Sequence, residues 1–386
     1  MIDYELKPYP GEDKVSFAKR NAYYYRFLKA RFQTGALMFP IIKDMGNMCA
    51  ISAAEKEHID EFWARYLTTE QRDTLINYTF YDIYKKHMTP SEDLALYIPN
   101  SFYYSFIDEY FTNPQDSFAT DDKNLYDVFF HDVNRPTTVF HKTKSLFLDN
   151  DYRQITQAEA VKKAYDCGEV ILKKCKFSMG GHDIMFWNAE TDDESKLMGF
   201  LHDTDMVLCQ ELIKQHEEIA RVNPSSVNTV RIMTLIFQEK VHVLSRVFRM
   251  GVDGSRVDNA SSGGIVCGVK PNGQLKNVAY DTKANKYLCH PQGTVFESVT
   301  IPNFDECILM ATQLAQRFSS VSRLISWDIA IDQSGHPLLI ECNLTYGELD
   351  FHQYCNGPLF GDLTDDVLKE VFANSYTLKS IIKSFQ

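Results

Sequence analysis

Ile325-Ser326-Trp327-Asp328-Ile329-Ala330-Ile331-Asp332 and, shortly after, Leu338-Leu339-Ile340-Glu341-Cys342-Asn343 form the most informative stretch of the chain. Both runs alternate with period two, the signature of half-buried strands, and Ser334-Gly335 between them suits a two-residue hairpin turn. That turn predicts Ile331 opposite Leu338, Ile329 opposite Ile340 and Trp327 opposite Cys342, an entirely apolar face. On the other face Asp328 then stands opposite Glu341, with Asn343 two residues along on the same side. Carboxylates paired in this way have Cβ atoms roughly 5 Å apart and destabilise the pair unless a cation lies between them. Two carboxylates and an amide oxygen suit Mg2+, a hard ion that completes its shell with water or phosphate.

A metal of that kind calls for phosphate, and phosphate calls for cations and backbone N–H donors. Working outward, two long alternating runs, 228–237 and 241–249, carry Arg231 and Arg246. A turn at Glu239-Lys240 puts both arginines on one face, whereas a three-residue turn puts them on opposite faces. Residues 255–264 read as a loop. Further upstream, Thr156-Gln157-Ala158-Glu159 is a capping box opening a helix that Gly168 ends. Residues 169–174 then form a buried strand running into Lys173 and Lys174, followed by a turn with Gly180-Gly181 and a second strand. Amphipathic helices fit 305–318 and 365–382. Residues 1–118 are mainly helical and rich in Tyr and Phe, Tyr23-Tyr24-Tyr25 and the run from Tyr97 to Phe111 being the densest parts, and core packing is favoured there over a stacking platform.

The chain has 386 residues, a net charge of −12 and 44% hydrophobic residues. A disordered chain is excluded, and the acidic balance argues against broad nucleic-acid binding, which needs a basic footprint. No segment reaches the roughly 18 apolar residues of a membrane span. The opening MIDYELKPYPGEDK lacks the apolar run of a secretory signal. Nine scattered cysteines without a CxxC fit reduced thiols in a cytoplasmic protein.

Taken in order, these features resemble the ATP-grasp superfamily and, more narrowly, its sugar-transfer-associated family, over roughly residues 121–362. The most specific parts are Ser225-Ser226-Val227-Asn228-Thr229-Val230-Arg231 and Asp328 with Glu341-Cys342-Asn343. The resemblance implies an α+β ATP-grasp fold, two lobes gripping ATP, after an N-terminal helical, aromatic-rich region. It divides the chain into 1–118, an N-terminal lobe at 119–200 and a C-terminal lobe at 201–386. It implies that Lys173 (or Lys174) contacts the α/β-phosphates and that a further nucleotide lysine lies at Lys142 or Lys144. A loop with Ser178, Gly180 and Gly181 would close over the phosphates. Gln210, Glu211, Leu212 and Ile213 would line the adenine, and Glu218 or His216 would meet the ribose. Arg231 would balance the γ-phosphate beside Arg246, while Asp328, Glu341 and Asn343 would hold Mg2+. Asp258, Asn259, Ser262, Gly263 and Gly264 would border the acceptor.

The implied activity is an ATP- and Mg2+-dependent carboxylate–amine ligase working through an acyl phosphate, with a small-molecule or sugar-linked carboxylate and an amine as partners. A phosphotransferase acting on a hydroxyl and a nucleotide-binding scaffold of a polysaccharide assembly complex are the alternatives. Fold resemblance alone does not choose among them.

Overall fold

The computed structural model describes residues 50–112, 120, 122–176, 183–345 and 347–384. Two compact units emerge. One gathers 50–111, 283–285 and 348–384, and the other the rest of the described chain. Residues 348–386 were expected in a C-terminal lobe with 201–347. Their described part instead groups with the N-terminal helices, because the helices Leu349–Asn356 and Thr364–Asn374 carry the apolar faces that complete that helical core.

In the helical unit, Ser52 and Glu55 form a capping box that starts the helix Ala53–Ala64. The aromatic run is core: Tyr97, Phe102, Tyr103, Phe106 and Phe111 are all buried. The indole of buried Trp63 donates to the Tyr81 hydroxyl at 2.7 Å, satisfying the one polar atom that its burial would otherwise strand. The other dense aromatic stretch, Tyr23 to Tyr25, lies outside the described residues.

The second unit holds two antiparallel sheets. The smaller has β1 (Thr138–Thr143), β2 (Leu146–Leu148), β3 (Gln154–Ile155), β4 (Glu169–Lys174), β5 (Ile184–Asn188) and β6 (Met206–Glu211), in the order β3-β2-β1-β6-β4-β5. The helix Gln157–Cys167 packs on one face with Val170, Leu172 and Cys209. Its capping box is formed by Thr156 and Glu159, and Gly168 ends it at φ 79°. That leaves the opposite face, which carries Ile171, Lys173, Leu208 and Gln210, for the site.

The larger sheet has β7 (Thr229–Phe237), β8 (Lys240–Met250), β9 (Ile265–Val269), β10 (Leu275–Tyr280), β11 (Lys286–Tyr287), β12 (Leu324–Ile331) and β13 (Pro337–Asn343), in the order β11-β10-β9-β8-β7-β12-β13. The helix Phe304–Arg317 covers its apolar face, with Val230, Ile232, Phe248, Trp327, Ile329 and Cys342 in one core.

Two register details decide which side chains meet. In the β12–β13 hairpin the turn has three residues, with Gly335 at φ 87°, a conformation that glycine adopts without strain. Ile331 therefore faces Pro337 and Ile329 faces Leu339, one residue off the expected pairing. A bulge at Ile340 cancels the offset, so Trp327 faces Cys342 and Asp328 faces Glu341, as the alternation predicted. In the β7–β8 hairpin the turn is Gln238-Glu239, both at positive φ, and a bulge at Leu244 is not cancelled. Arg231 then faces Val247, Thr229 faces Arg249, and Arg246 faces Ile232 on the core side.

Trp327 anchors this arrangement. It is fully buried and its indole donates to Thr234 Oγ1 at 2.9 Å. Replacing Thr234 by Val strands that N–H, so the expected loss is about 1–3 kcal/mol. The check is a lowered denaturant midpoint at unchanged slope; an unaltered midpoint would remove this hydrogen bond from the account.

Candidate functional site

The site is built on the non-core face of β7, β8, β12 and β13. Asp328 at its centre is buried. Arg231 grips it with two parallel bonds, Nε to Oδ1 and Nη2 to Oδ2, both 2.7 Å. Arg249 Nη1 donates to Oδ2 at 2.9 Å, and Asn343 Nδ2 donates to the same oxygen at 3.2 Å. Burial by itself would push the Asp328 carboxyl up. The guanidiniums of Arg231 and Arg249 overcome that cost and hold it at about 2. Asp258 lies beside the cluster, hydrogen-bonded by the Thr229 hydroxyl and reached by Arg249 Nη2 at 3.4 Å. Desolvation dominates at Asp258 and pushes its carboxyl up, with Arg249 opposing.

Glu341 is paired with the Lys123 ammonium at 2.8 Å. Lys123 sits on the turn Lys123–Leu125, held by its own N–H donating to the Cys175 carbonyl just after β4. Lys173 is buried on the free face of the smaller sheet and donates to Gln210 Oε1 at 3.1 Å. Burial pushes its ammonium down to about 8, against the pull of the Glu341 charge. Lys123, Lys173, Arg231 and Arg249 thus converge near Asp328 and Glu341, giving a locally cationic site within an acidic chain.

The segment 223–228 holds this geometry in place. Asn228 Nδ2 donates to the Asn223 carbonyl at 2.9 Å, Asn223 Nδ2 to Ser226 Oγ at 2.8 Å, and Gln215 Nε2 to the Ser226 carbonyl at 2.6 Å. These buried amides satisfy the backbone that launches β7, which fixes Arg231 in register.

A family model described as sugar-transfer associated ATP-grasp matches residues 104–367, well over half of the chain. The chain belongs to that family. Solved structures resemble the chain only at a distance. These include the ATP-grasp ligase PsnB with minimal precursor, Mg and ADP (14% identity, 68% of this chain and 62% of that one, TM-score 0.40). They also include D-alanyl-alanine synthetase A from Vibrio cholerae (12%, 68% and 68%, 0.42) and an L-amino acid ligase from Bacillus licheniformis (14%, 68% and 50%, 0.39). The match therefore spans 62% of the length of PsnB. No curated protein sequence matched. Likenesses this distant carry no residue role to this ATP-grasp chain.

The residues expected from the sequence land unevenly. Asp328, Glu341, Asn343, Arg231, Lys173 and Asp258 come together. Lys173 points to the free face, while Lys174 shares the helix-covered face and reaches Asp183 at 3.8 Å. Lys142 does not join Lys173. It pairs with Val207 on the helix-covered face, and its ammonium donates to the Thr204 carbonyl at 2.6 Å. Arg246 is on the core side, displaced by the bulge, and Arg249 stands where it was expected. The Gln210 amide binds Lys173 and the Pro136 carbonyl. Glu211 ends β6 exposed, with Leu212 and Ile213 half-buried beyond it. His216 caps the helix Glu217–Ala220, and Glu218 is bonded to Arg221 at 2.6 and 2.8 Å. Asn259, Ser262, Gly263 and Gly264 form the tight turn after Asp258. Ser178, Gly180 and Gly181 lie outside the described residues. Lys123 and Arg249 were missed. Arg249 lies in the same alternating run as Arg246 but becomes a candidate only once the bulge is known, and nothing in the polar segment around Lys123 singles it out.

Among the described residues no three His, Cys, Asp or Glu side chains cluster as metal ligands, and no helix is long and apolar enough to cross a membrane. Removing one partner of a buried ion pair leaves the other uncompensated. Arg231→Met should therefore cost about 3–5 kcal/mol of stability. The pH dependence carries a sign. The folded Asp328 carboxyl titrates below its unfolded value near 4, so its contribution is complete above about pH 4 and is lost as pH falls towards 2. Acid titrations of stability should lose part of that limb in Arg231→Met; superimposable limbs would contradict the pairing.

Proposed function

We propose that this chain is an ATP- and Mg2+-dependent ligase that joins a carboxylate to an amine through an acyl phosphate, with a sugar-linked molecule as one partner, in the cytoplasm. One observation carries the reading: the carboxylates of Asp328 and Glu341 stand among Lys123, Lys173, Arg231 and Arg249, a combination that serves a metal and a polyphosphate together. The sugar-linked substrate is supported by the family's description.

The donor set fits the metal by its chemistry. Asp328, Glu341 and Asn343 supply hard oxygen atoms, Asp328 stays ionised at any working pH, and a guanidinium already stands as the cation beside it. Those three residues would hold Mg2+, which would supply positive charge to offset that of the phosphates. The rest falls to the chain's own groups. Lys173 meets the phosphates from the smaller sheet. Arg231 balances charge on the γ-phosphoryl during in-line transfer. A substrate carboxylate oxygen attacks the γ-phosphorus and the bond to the β-phosphate oxygen breaks, releasing ADP. The amine nitrogen attacks the acyl carbon, phosphate leaves, and the nitrogen loses a proton. Leu212 and Ile213 offer apolar surface to the adenine, and the 258–264 turn borders the acceptor.

Calorimetry with Mg–ADP tests the site. Asp328→Ala and Glu341→Ala should each weaken binding at least about tenfold, the scale of lost ligation; unchanged affinity in both would sink the assignment. Incubation with hydroxylamine and candidate acids should yield hydroxamate with release of ADP, whereas a phosphotransferase gives none. Lys173 supplies charge below about pH 8 and loses it as pH rises through that value. Mg–ATP affinity in the wild type should therefore fall across that range, and Lys173→Arg should flatten the fall. Identical profiles would exclude Lys173 as a phosphate partner.

A further inference from the structure

Arg249 is buried near the end of β8 and touches two carboxylates with separate duties. Nη1 donates to Asp328 Oδ2 at 2.9 Å, and Nη2 donates to Asp258 Oδ1 at 3.4 Å. Asp258 is the inner anchor of the 251–264 loop. The Thr229 hydroxyl bonds its other oxygen, and Gly264 lies so close to its backbone that an added Cβ would meet the Asp258 carbonyl at 2.6 Å. Two residues earlier in the loop, the exposed Arg256 guanidinium lies over the Phe186 ring of β5, 3.9 Å from its centroid. The loop is thus pinned at Asp258 to the larger sheet and at Arg256 to the smaller one.

The cluster of Asp328, Asp258, Arg231 and Arg249 balances two acids against two bases in a buried place. A dication at Asp328 competes with the guanidiniums for the same oxygens, and like charges at this depth repel strongly. An Arg249 that gives up its 2.9 Å contact still has Asp258 within reach.

We infer that Arg249 is a positioning residue that couples the metal carboxylate to the acceptor loop: the cation resting on Asp328 decides whether Arg249 is shared or bonds Asp258 alone, and so how firmly the 251–264 loop is held. This rests on the Mg–nucleotide reading and names the residue that transmits it.

Amide hydrogen exchange of peptides spanning 251–264, with and without Mg–ADP, reads the coupling, and calorimetry reads binding in the same samples. In the wild type, Mg–ADP should slow exchange of the loop several-fold, since local opening sets that rate. R249M, read at Mg–ADP concentrations that calorimetry shows to saturate that variant, should lose the slowing. The double variant R249M/D258N keeps the cluster neutral, so it serves even if R249M folds poorly, and should also show no slowing. R249K, charged but unable to bridge both acids at once, should keep only part of the response. Mg–ADP binding without any loop response in the wild type, or the full response in R249M/D258N, would overturn the coupling alone. Absence of Mg–ADP binding in the wild type would overturn the nucleotide reading and this inference with it.

Discussion

A buried carboxylate held by two guanidiniums is the constraint on which the site turns. Asp328 is inside the protein, where an unpaired charge would be intolerable, and it survives there because Arg231 and Arg249 reach it from two neighbouring strands. Such a pair contributes little net stability against an apolar replacement, since desolvation offsets most of the attraction. Under the ligase function proposed above, it has a use: an anion kept ionised, with two cations beside it, can exchange partners when a metal and phosphate bind.

The sheet serves that arrangement. The Asn223, Ser226 and Asn228 amide network starts β7, the bulge at Leu244 turns Arg249 towards the site, and the bulge at Ile340 restores Glu341 opposite Asp328. Each is a local deviation of one residue. Because side chains alternate faces, one residue is enough to move an arginine from the core side to the site.

Much of this was legible beforehand. The hairpin of Asp328 and Glu341 was readable because period-two alternation is a strong signal and its two errors, a turn one residue too short and an unforeseen bulge, cancelled. The capping box at Thr156 and the lysine strand ending at Lys173 were readable because their determinants are local. Arg249 was not, because its selection over Arg246 depends on a bulge with no sequence mark. Lys123 was not, because its ammonium meets Glu341 across more than two hundred residues of chain. Lys142 was, with Lys144, a nucleotide-lysine candidate implied by the resemblance, but the β1–β6 pairing turned it to the helix-covered face.

By itself, then, the sequence determined the family, the two-carboxylate hairpin and the lysine strand, since each rests on short-range periodicity or on a motif. Tertiary structure alone decided which cations reach Asp328 and Glu341, and that the C-terminal helices complete the helical unit rather than the ATP-grasp sheets. The physical reason is common to both: strand register and long-range packing set which side chains meet, and neither is written in the neighbours of a residue along the chain.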